Sequence, residues 1–394
     1  MEPTAARAIP RGEGGARVAP EGEGLFGEAE GGELALRAEP EGLLPVRRRV
    51  KDAAGFLPTW GVRQKKARGD IMKAKGLVFS AMLLLGFGLA GRQAQPAQKF
   101  ADLKGDYLGQ PLPGETPSVF ARDIISTKDK EHGAPKFSPD GNEVFWWSIR
   151  QENEGKWLDF HKTMRRIGGQ WTAPETSPFD GAPIYSSDGK RLYFASKKEG
   201  DDVTFVEKQG KGWSKPTGVG LVTRFPEVRF AYFPSIASNG TLYFMGYRER
   251  RFMNMGIYRS VLINGEYAKP ELLPQSINTP DGARNWTPFI APDESYLIFC
   301  STRGLPASDQ GDLFVCFRQP DGSWTDPVGM GAPINTKEME RFPAVSPDGK
   351  VLFFTRDTNI PGYAYDEDVY WVSAGIIERL KAKAIQEKGL KQRK

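Results

Sequence analysis

The chain is poor in the residues that build covalent frameworks and metal centres. It holds two cysteines and two histidines in 394 residues. That is too few for a disulfide-stapled scaffold, and no Cys/His grouping supplies the roughly four ligands of a closed zinc site. Neither charge sign dominates: 54 Lys and Arg face 49 Asp and Glu, and the +5 balance falls to +2 over residues 91–394. A near-neutral body gives no electrostatic case for nucleic acid. The apolar run Leu77 to Leu89 has 13 residues, short of the roughly 20 that a bilayer-spanning helix needs. A Gly-x-Ser-x-Gly elbow, a phosphate-cradling Gly-Lys-Ser/Thr loop and a dinucleotide fingerprint are all missing, so no nucleotide or other cofactor is expected.

What is present changes character along the chain. Residues 1–71 are crowded with Gly, Glu, Ala, Arg and Pro and show no apolar period, the signature of a segment that cannot offset its ordering entropy. They read as a disordered extension. From Met72 the sequence MKAKGLVFSAMLLLGFGLAGRQAQPAQ begins with a basic head, Lys73 and Lys75, continues with the apolar run, and ends on the small residues of Gly88-Leu89-Ala90. This is the anatomy of a signal peptide over 72–90; a buried helix and a signal anchor are the alternatives. Such a peptide works from an N-terminus, so Met72 is the expected start, and the expected location is periplasmic or extracellular. No Cys follows the run, which excludes a lipidated cysteine at the cleavage site. Residues 91–104 read as a linker.

The body is organised by one returning phrase. FSPDGNEVFWW from Phe137 is followed by YSSDGKRLYFAS, SIASNGTLYFMGY, FIAPDESYLIFCS and AVSPDGKVLFFTR, each led by a proline at 135, 183, 234, 288 and 343. The spacings of 48, 51, 54 and 55 residues suit propeller blades. Asp-Gly and Asn-Gly favour tight hairpin turns, and the alternation after each turn marks a half-buried strand. Asp140, Asp188 and Asp348 are therefore turn formers. A third strand recurs from Asp159, Asp202, Met255, Gly311 and Glu367, and an aromatic-x-x-Pro step follows four of these.

After the fifth copy the chain turns into GIIERLKAKAIQEKGLKQRK instead of a fourth strand. The missing strand has a match upstream: PSVFARDIISTKDKEHGAPKFSPD from Pro117 aligns without a gap over 24 residues with PELLPQSINTPDGARNWTPFIAPD from Pro270. The expectation is an all-β, five-bladed propeller of four-stranded antiparallel blades over 105–375, closed by an N-terminal strand; a six-bladed propeller is the alternative. Cys300 and Cys316 fall three or four residues out of register on neighbouring strands and should remain free thiols. Residues 376–394 read as a basic helix and tail, with Ile376, Ile377, Leu380 and Ala384 at near-helical spacing.

These Pro-x-x-Ser-Pro-Asp-Gly phrases, with strands such as Gly311-Asp-Leu-Phe-Val, resemble the TolB-like, WD40-like propeller repeats of bacterial exported proteins. Tyr107-Leu-Gly-Gln, Ile290-Ala-Pro-Asp-Glu-Ser-Tyr-Leu-Ile-Phe and Asp368-Val-Tyr-Trp-Val-Ser-Ala look like marks of one uncharacterised secreted group. The resemblance covers roughly residues 105–380 and implies a protein-binding propeller whose funnel accepts a partner. The separate N-terminal α/β domain of TolB is absent here, and fold does not carry function.

The connections ahead of the innermost strands should line one channel mouth. They hold His132, Arg229, Phe230, Tyr232, Arg284, Asn285, Trp286, Arg341 and Phe342, a mixture of rings and Arg suited to a protein, peptide or glycan. Packing between blades is the competing use for these rings. A non-enzymatic binding or scaffold module is the leading expectation. The alternative is a carbohydrate-active hydrolase using Glu131, Asp180 and Glu340, which would need two carboxylates about 5–9.5 Å apart across the mouth.

Overall fold

The computed structural model describes residues 103–391 except 153–155, 197–201, 248–254, 280–281, 306–310 and 359–365. The extension, the signal peptide and the linker as far as residue 102 lie outside the described residues.

Turn chemistry builds each hairpin. In blade 1 Ser138 Oγ donates to Asp140 Oδ1 at 2.5 Å, and the same carboxylate accepts from Asn142 N at 3.0 Å. Ser186 with Asp188 and Ser346 with Asp348 repeat the bond at 2.6 and 2.7 Å. Glycine follows with positive φ at Gly141, Gly189, Gly240 and Gly349, as such turns require. Blade 4 departs from this: Glu294 holds φ 58° without being glycine. Its carboxylate accepts from Tyr243 Oη at 2.5 Å and Asn239 Nδ2 at 2.9 Å, which ties blade 4 to blade 3 and offsets the strained backbone.

Five antiparallel blades result. Blade 1 runs from Lys130–Glu131 and Lys136–Phe137 through Glu143–Gln151 and Trp157–Ile167 to Glu175–Thr176. Blade 2 comprises Ile184–Tyr185, Arg191–Ser196, Asp202–Gln209 and Thr217–Gly218. Blade 3 comprises Tyr232–Ile236, Leu242–Tyr247, Met255–Ser260 and Glu271–Leu272, and blade 4 Asn285–Ile290, Tyr296–Ser301, Asp312–Phe317 and Val328–Gly329. Blade 5 orders Glu340–Val345, Val351–Thr358 and Asp366–Ser373, then takes Ser118–Val119 as its outer strand. No sixth blade occurs among the described residues.

The closure expected from the 24-residue match is present, with Ser118 opposite Trp371 and Val119 opposite Tyr370. Phe120 N donates to Val369 O at 2.8 Å. Phe120 is fully buried, with its ring 4.8 Å from Trp371 and 5.0 Å from Phe353. Further upstream, Tyr107 Oη donates to Asp348 Oδ1 at 2.5 Å, and Leu108 is buried beside it. Leu103 and Lys104, at the end of the linker, pair with Trp171 and Gln170.

Cys300 faces Leu313 while Cys316 faces Leu297, three residues out of register. Both are free and buried, and burial pushes both thiols up. The chain ends in the helix Gly375–Lys391, which seats Ile377, Leu380 and Ala384 in the core of blades 4 and 5. Among the described residues no helix is long and apolar enough to cross a membrane.

Candidate functional site: an aromatic mouth over a closed channel

The prolines that lead each blade shape the mouth. A residue before proline avoids the right-handed helical region, and proline itself cannot donate to a ladder. The inner strands of blades 3, 4 and 5 accordingly slip register between Tyr232 and Ser235, Trp286 and Phe289, and Arg341 and Ala344. At the slip, Phe233, Thr287 and Phe342 take φ of 52°, 49° and 53°. For non-glycine residues each such angle costs about 1 kcal/mol or more. Blades 1 and 2 place Gly133-Ala134 and Gly181-Ala182 at the corresponding step.

The strained residues meet across the ring. Phe233 of blade 3 and Phe342 of blade 5 pack edge to face at 5.2 Å, and Thr287 Oγ1 accepts from Phe342 N at 3.3 Å. Phe342 also contacts His132 of blade 1 at 5.0 Å. The channel is thus floored by rings at this level. Ring contacts run on from the floor in both directions. On one side His132 meets Trp147 at 4.6 Å, and Trp147 stacks with His161 at 5.9 Å. On the other, Phe233 meets Tyr232 at 6.2 Å, Tyr232 meets Phe230 at 4.9 Å, and Phe230 meets Tyr247 at 3.8 Å. His132, Trp147, His161, Tyr232, Phe233 and Tyr247 all keep part of their surface exposed.

A buried charge cluster joins blade 5 to blade 1 beside this band. Arg341 grips the fully buried Glu367 through Nε at 2.7 Å and Nη2 at 2.5 Å, and Thr355 Oγ1 donates to the same carboxylate. Lys130 Nζ lies 3.6 Å from Glu367 and 3.5 Å from Asp357. Burial works to raise Glu367, but the Arg341 and Lys130 cations hold it well below the usual carboxylate range. His132 Nδ1 faces Glu367 Oε2 at 3.9 Å. Burial outweighs that anion and lowers the imidazole to about 4, so the ring is neutral at pH 7.

Of the nine residues expected to bind, Phe230, Arg284, Asn285, Trp286, Arg341 and Phe342 are each buried. Trp286 packs against Gly311 and Cys300 with the Arg284 guanidinium over its ring at 5.3 Å. Asn285 accepts from Ser301 Oγ at 2.8 Å and Arg303 Nη2 at 3.0 Å. These six form the floor or its support. His132 and Tyr232 are partly exposed, and Arg229 is exposed on a left-handed backbone of φ 69°.

The three expected carboxylates differ in setting. Glu131 and Glu340 have no exposed surface. Glu131 accepts from Thr127 N at 3.2 Å and Oγ1 at 3.0 Å; Glu340 repeats this with Thr336 at 3.1 and 2.6 Å and adds Arg356 Nε at 2.8 Å. Each carboxylate staples the loop ahead of its own strand. Burial raises both, Glu131 to about 9. Asp180 is half-buried, next to Gly181.

Trp147, His161, Phe233 and Tyr247 were not singled out from the sequence as site residues, although one signal was available. Counted from the hairpin turn, Trp147 stands where the other four repeats carry Ala195, Gly246, Cys300 and Thr355. A large ring at a position otherwise kept small marks a place where one blade reaches over its neighbours.

No protein-family model matches the chain, and no characterised protein matches it in sequence. Solved structures do match in part. The chain is similar to a protein of unknown function from Dyadobacter fermentans, at 12% identity over 66% of this chain and 99% of that one, with a TM-score of 0.40. It is similar to the catalytic domain of a GH62 α-L-arabinofuranosidase from Coprinopsis cinerea, at 8% identity over 66% and 97%, TM-score 0.38. Hydrazine synthase of Kuenenia stuttgartiensis matches at 12% identity over 60% and 76%, TM-score 0.34. Likenesses this distant carry no inference about chemistry.

Proposed function

We propose that this chain is an exported, non-enzymatic binding propeller that takes a protein, peptide or glycan at the aromatic mouth. One observation carries the reading: the unbroken run of ring contacts from His161 to Tyr247, floored by Phe233 and Phe342, with six of its eight rings partly exposed. Rigid rings set on strands present apolar area at low entropic cost, which is how recognition sites obtain affinity. The strain at Phe233, Thr287 and Phe342 fits a site held in one shape before a ligand arrives. Binding is preferred over hydrolysis because Glu131 and Glu340 have no surface from which to exchange a proton with an external sugar. The test is a combined glycan and peptide array probed with the full chain and with Tyr232→Ala. A bound ligand should weaken about tenfold or more in the variant, in line with loss of one aromatic anchor. Unchanged binding in Tyr232→Ala would remove the mouth from consideration.

A further inference from the structure

The two histidines of the chain both pack against Trp147, and their surroundings fix opposite proton positions. His161 Nδ1 lies 2.5 Å from Gly181 N and farther, 3.3 Å, from Gly181 O, so the N–H is its nearer partner. A backbone N–H can only donate, so Nδ1 accepts and the ring proton sits on Nε2. In His132 the buried nitrogen is Nδ1, which faces the Glu367 carboxylate at 3.9 Å. Arg341 and Lys130 hold Glu367 ionised, and an anion on that side favours the proton on Nδ1. His132 Nε2 is not enclosed as Nδ1 is, and with the proton on Nδ1 it bears a lone pair.

We infer that His132 and His161 are a matched acceptor and donor for ligand hydroxyls, and that the ligand is a neutral saccharide. This rests on the mouth being the binding site. A sugar hydroxyl both donates and accepts, so it can use an imidazole of either tautomer, and the C–H face of a pyranose packs on exposed aromatic rings. Three cations beside the mouth are already paired: the buried Lys130 with Asp357 at 3.5 Å, the buried Arg341 with Glu367 at 2.5 Å, and the partly buried Arg356 with Glu340 at 2.8 Å. Among the described residues these three cations offer an ionic ligand no unpaired charge. A peptide adding as a strand needs free ladder groups, whereas the His132 N–H is already given to Trp147 O at 2.8 Å.

With two histidines in the chain, long-range proton–nitrogen NMR of tag-free full-length protein shows two imidazole systems. His132 should carry its proton on Nδ1 and His161 on Nε2; finding both rings in one tautomer overturns the pairing whatever binds. The probes are neutral cello-, xylo-, manno- and arabino-oligosaccharides, with a peptide library in parallel. The expected result is a saccharide that shifts both imidazole systems and binds about tenfold more weakly to His161→Phe and to His132→Phe, which keep the ring packing. Thermal melts of both variants separate lost binding from lost folding. A peptide that shifts both imidazoles, with no saccharide doing so, overturns the saccharide inference and leaves the mouth standing. Binding of any probe with both imidazole systems unmoved and with Tyr232→Ala unaffected overturns the mouth as well. Failure of every saccharide to bind overturns the inference.

Discussion

Glu131 shows how one side chain can stabilise a loop yet make the fold sensitive to pH. It has no exposed surface, its Oε1 is bonded to Thr127, and its Oε2 has no partner. Burial lifts it from an ordinary 4.5 to about 9. Between those values the folded chain keeps a proton that the unfolded chain releases, so stability falls as pH rises from about 4.5 toward 9. Glutamine reproduces the neutral acid, with one acceptor and one donor group, and cannot ionise. Glu131→Gln should therefore melt close to the parent at pH 4.5 and several degrees above it at pH 8.5. A constant difference across that range would show that the carboxyl is not held neutral. Glu340 has the same Thr contact but also the Arg356 cation. Glu340→Gln removes the ion pair of Arg356, leaving that guanidinium its bonds to Pro333 O and Ile334 O, and should destabilise at neutral pH, the opposite sign to Glu131→Gln.

At the scale of strands and turns, neighbours set the tolerance of each position. Gly311 opens the third strand of blade 4, where a Cβ would lie 2.6 Å from Cys300 Sγ and 2.7 Å from the Trp286 ring. Gly311→Ala has to push apart two buried side chains and should cost about 1–3 kcal/mol in urea unfolding. An effect below about 0.5 kcal/mol would mean that Cys300 and Trp286 are loosely packed. Strands and turns were largely legible in the sequence, because Ser-Pro-Asp-Gly and the alternation after it act over a few residues, and five copies averaged out exceptions such as Glu294. The mouth was less legible. Phe342 and Trp286 both stand near a leading proline, yet Phe342 crosses the channel to Phe233 while Trp286 packs against Gly311 of its own blade. That choice depends on bulges set by pairing with the next strand, and on partners remote in sequence, Phe233 of blade 3 for Phe342 and Gly311 of its own blade for Trp286. Neither is visible in the leading phrase itself.

The whole molecule depends on a closure that spans nearly the entire described chain. Ser118–Val119 completes blade 5 against Asp366–Ser373, so the first and last sheets are one cooperative unit. Behind the strand, Phe120 and Ile125 are fully buried, and Ser126 N–H and Oγ are engaged with Ala121 O and Val369 O. The Tyr107–Leu108 turn adds a second clasp through Asp348. Contacts of such high sequence separation form late and are paid for in loop-closure entropy, so they should affect unfolding more than the early folding steps. Phe120→Ala removes a ring held by Trp371, Phe353 and Phe137, and large-to-small changes of this kind cost about 3–5 kcal/mol. If the ring melts as one body, that loss should lower a single thermal transition seen alike by far-UV ellipticity and by tryptophan fluorescence, and should speed unfolding more than it slows refolding. If blades 2 to 4 instead keep the parental midpoint while blades 1 and 5 melt early, the five sheets are independent modules and the clasp is local.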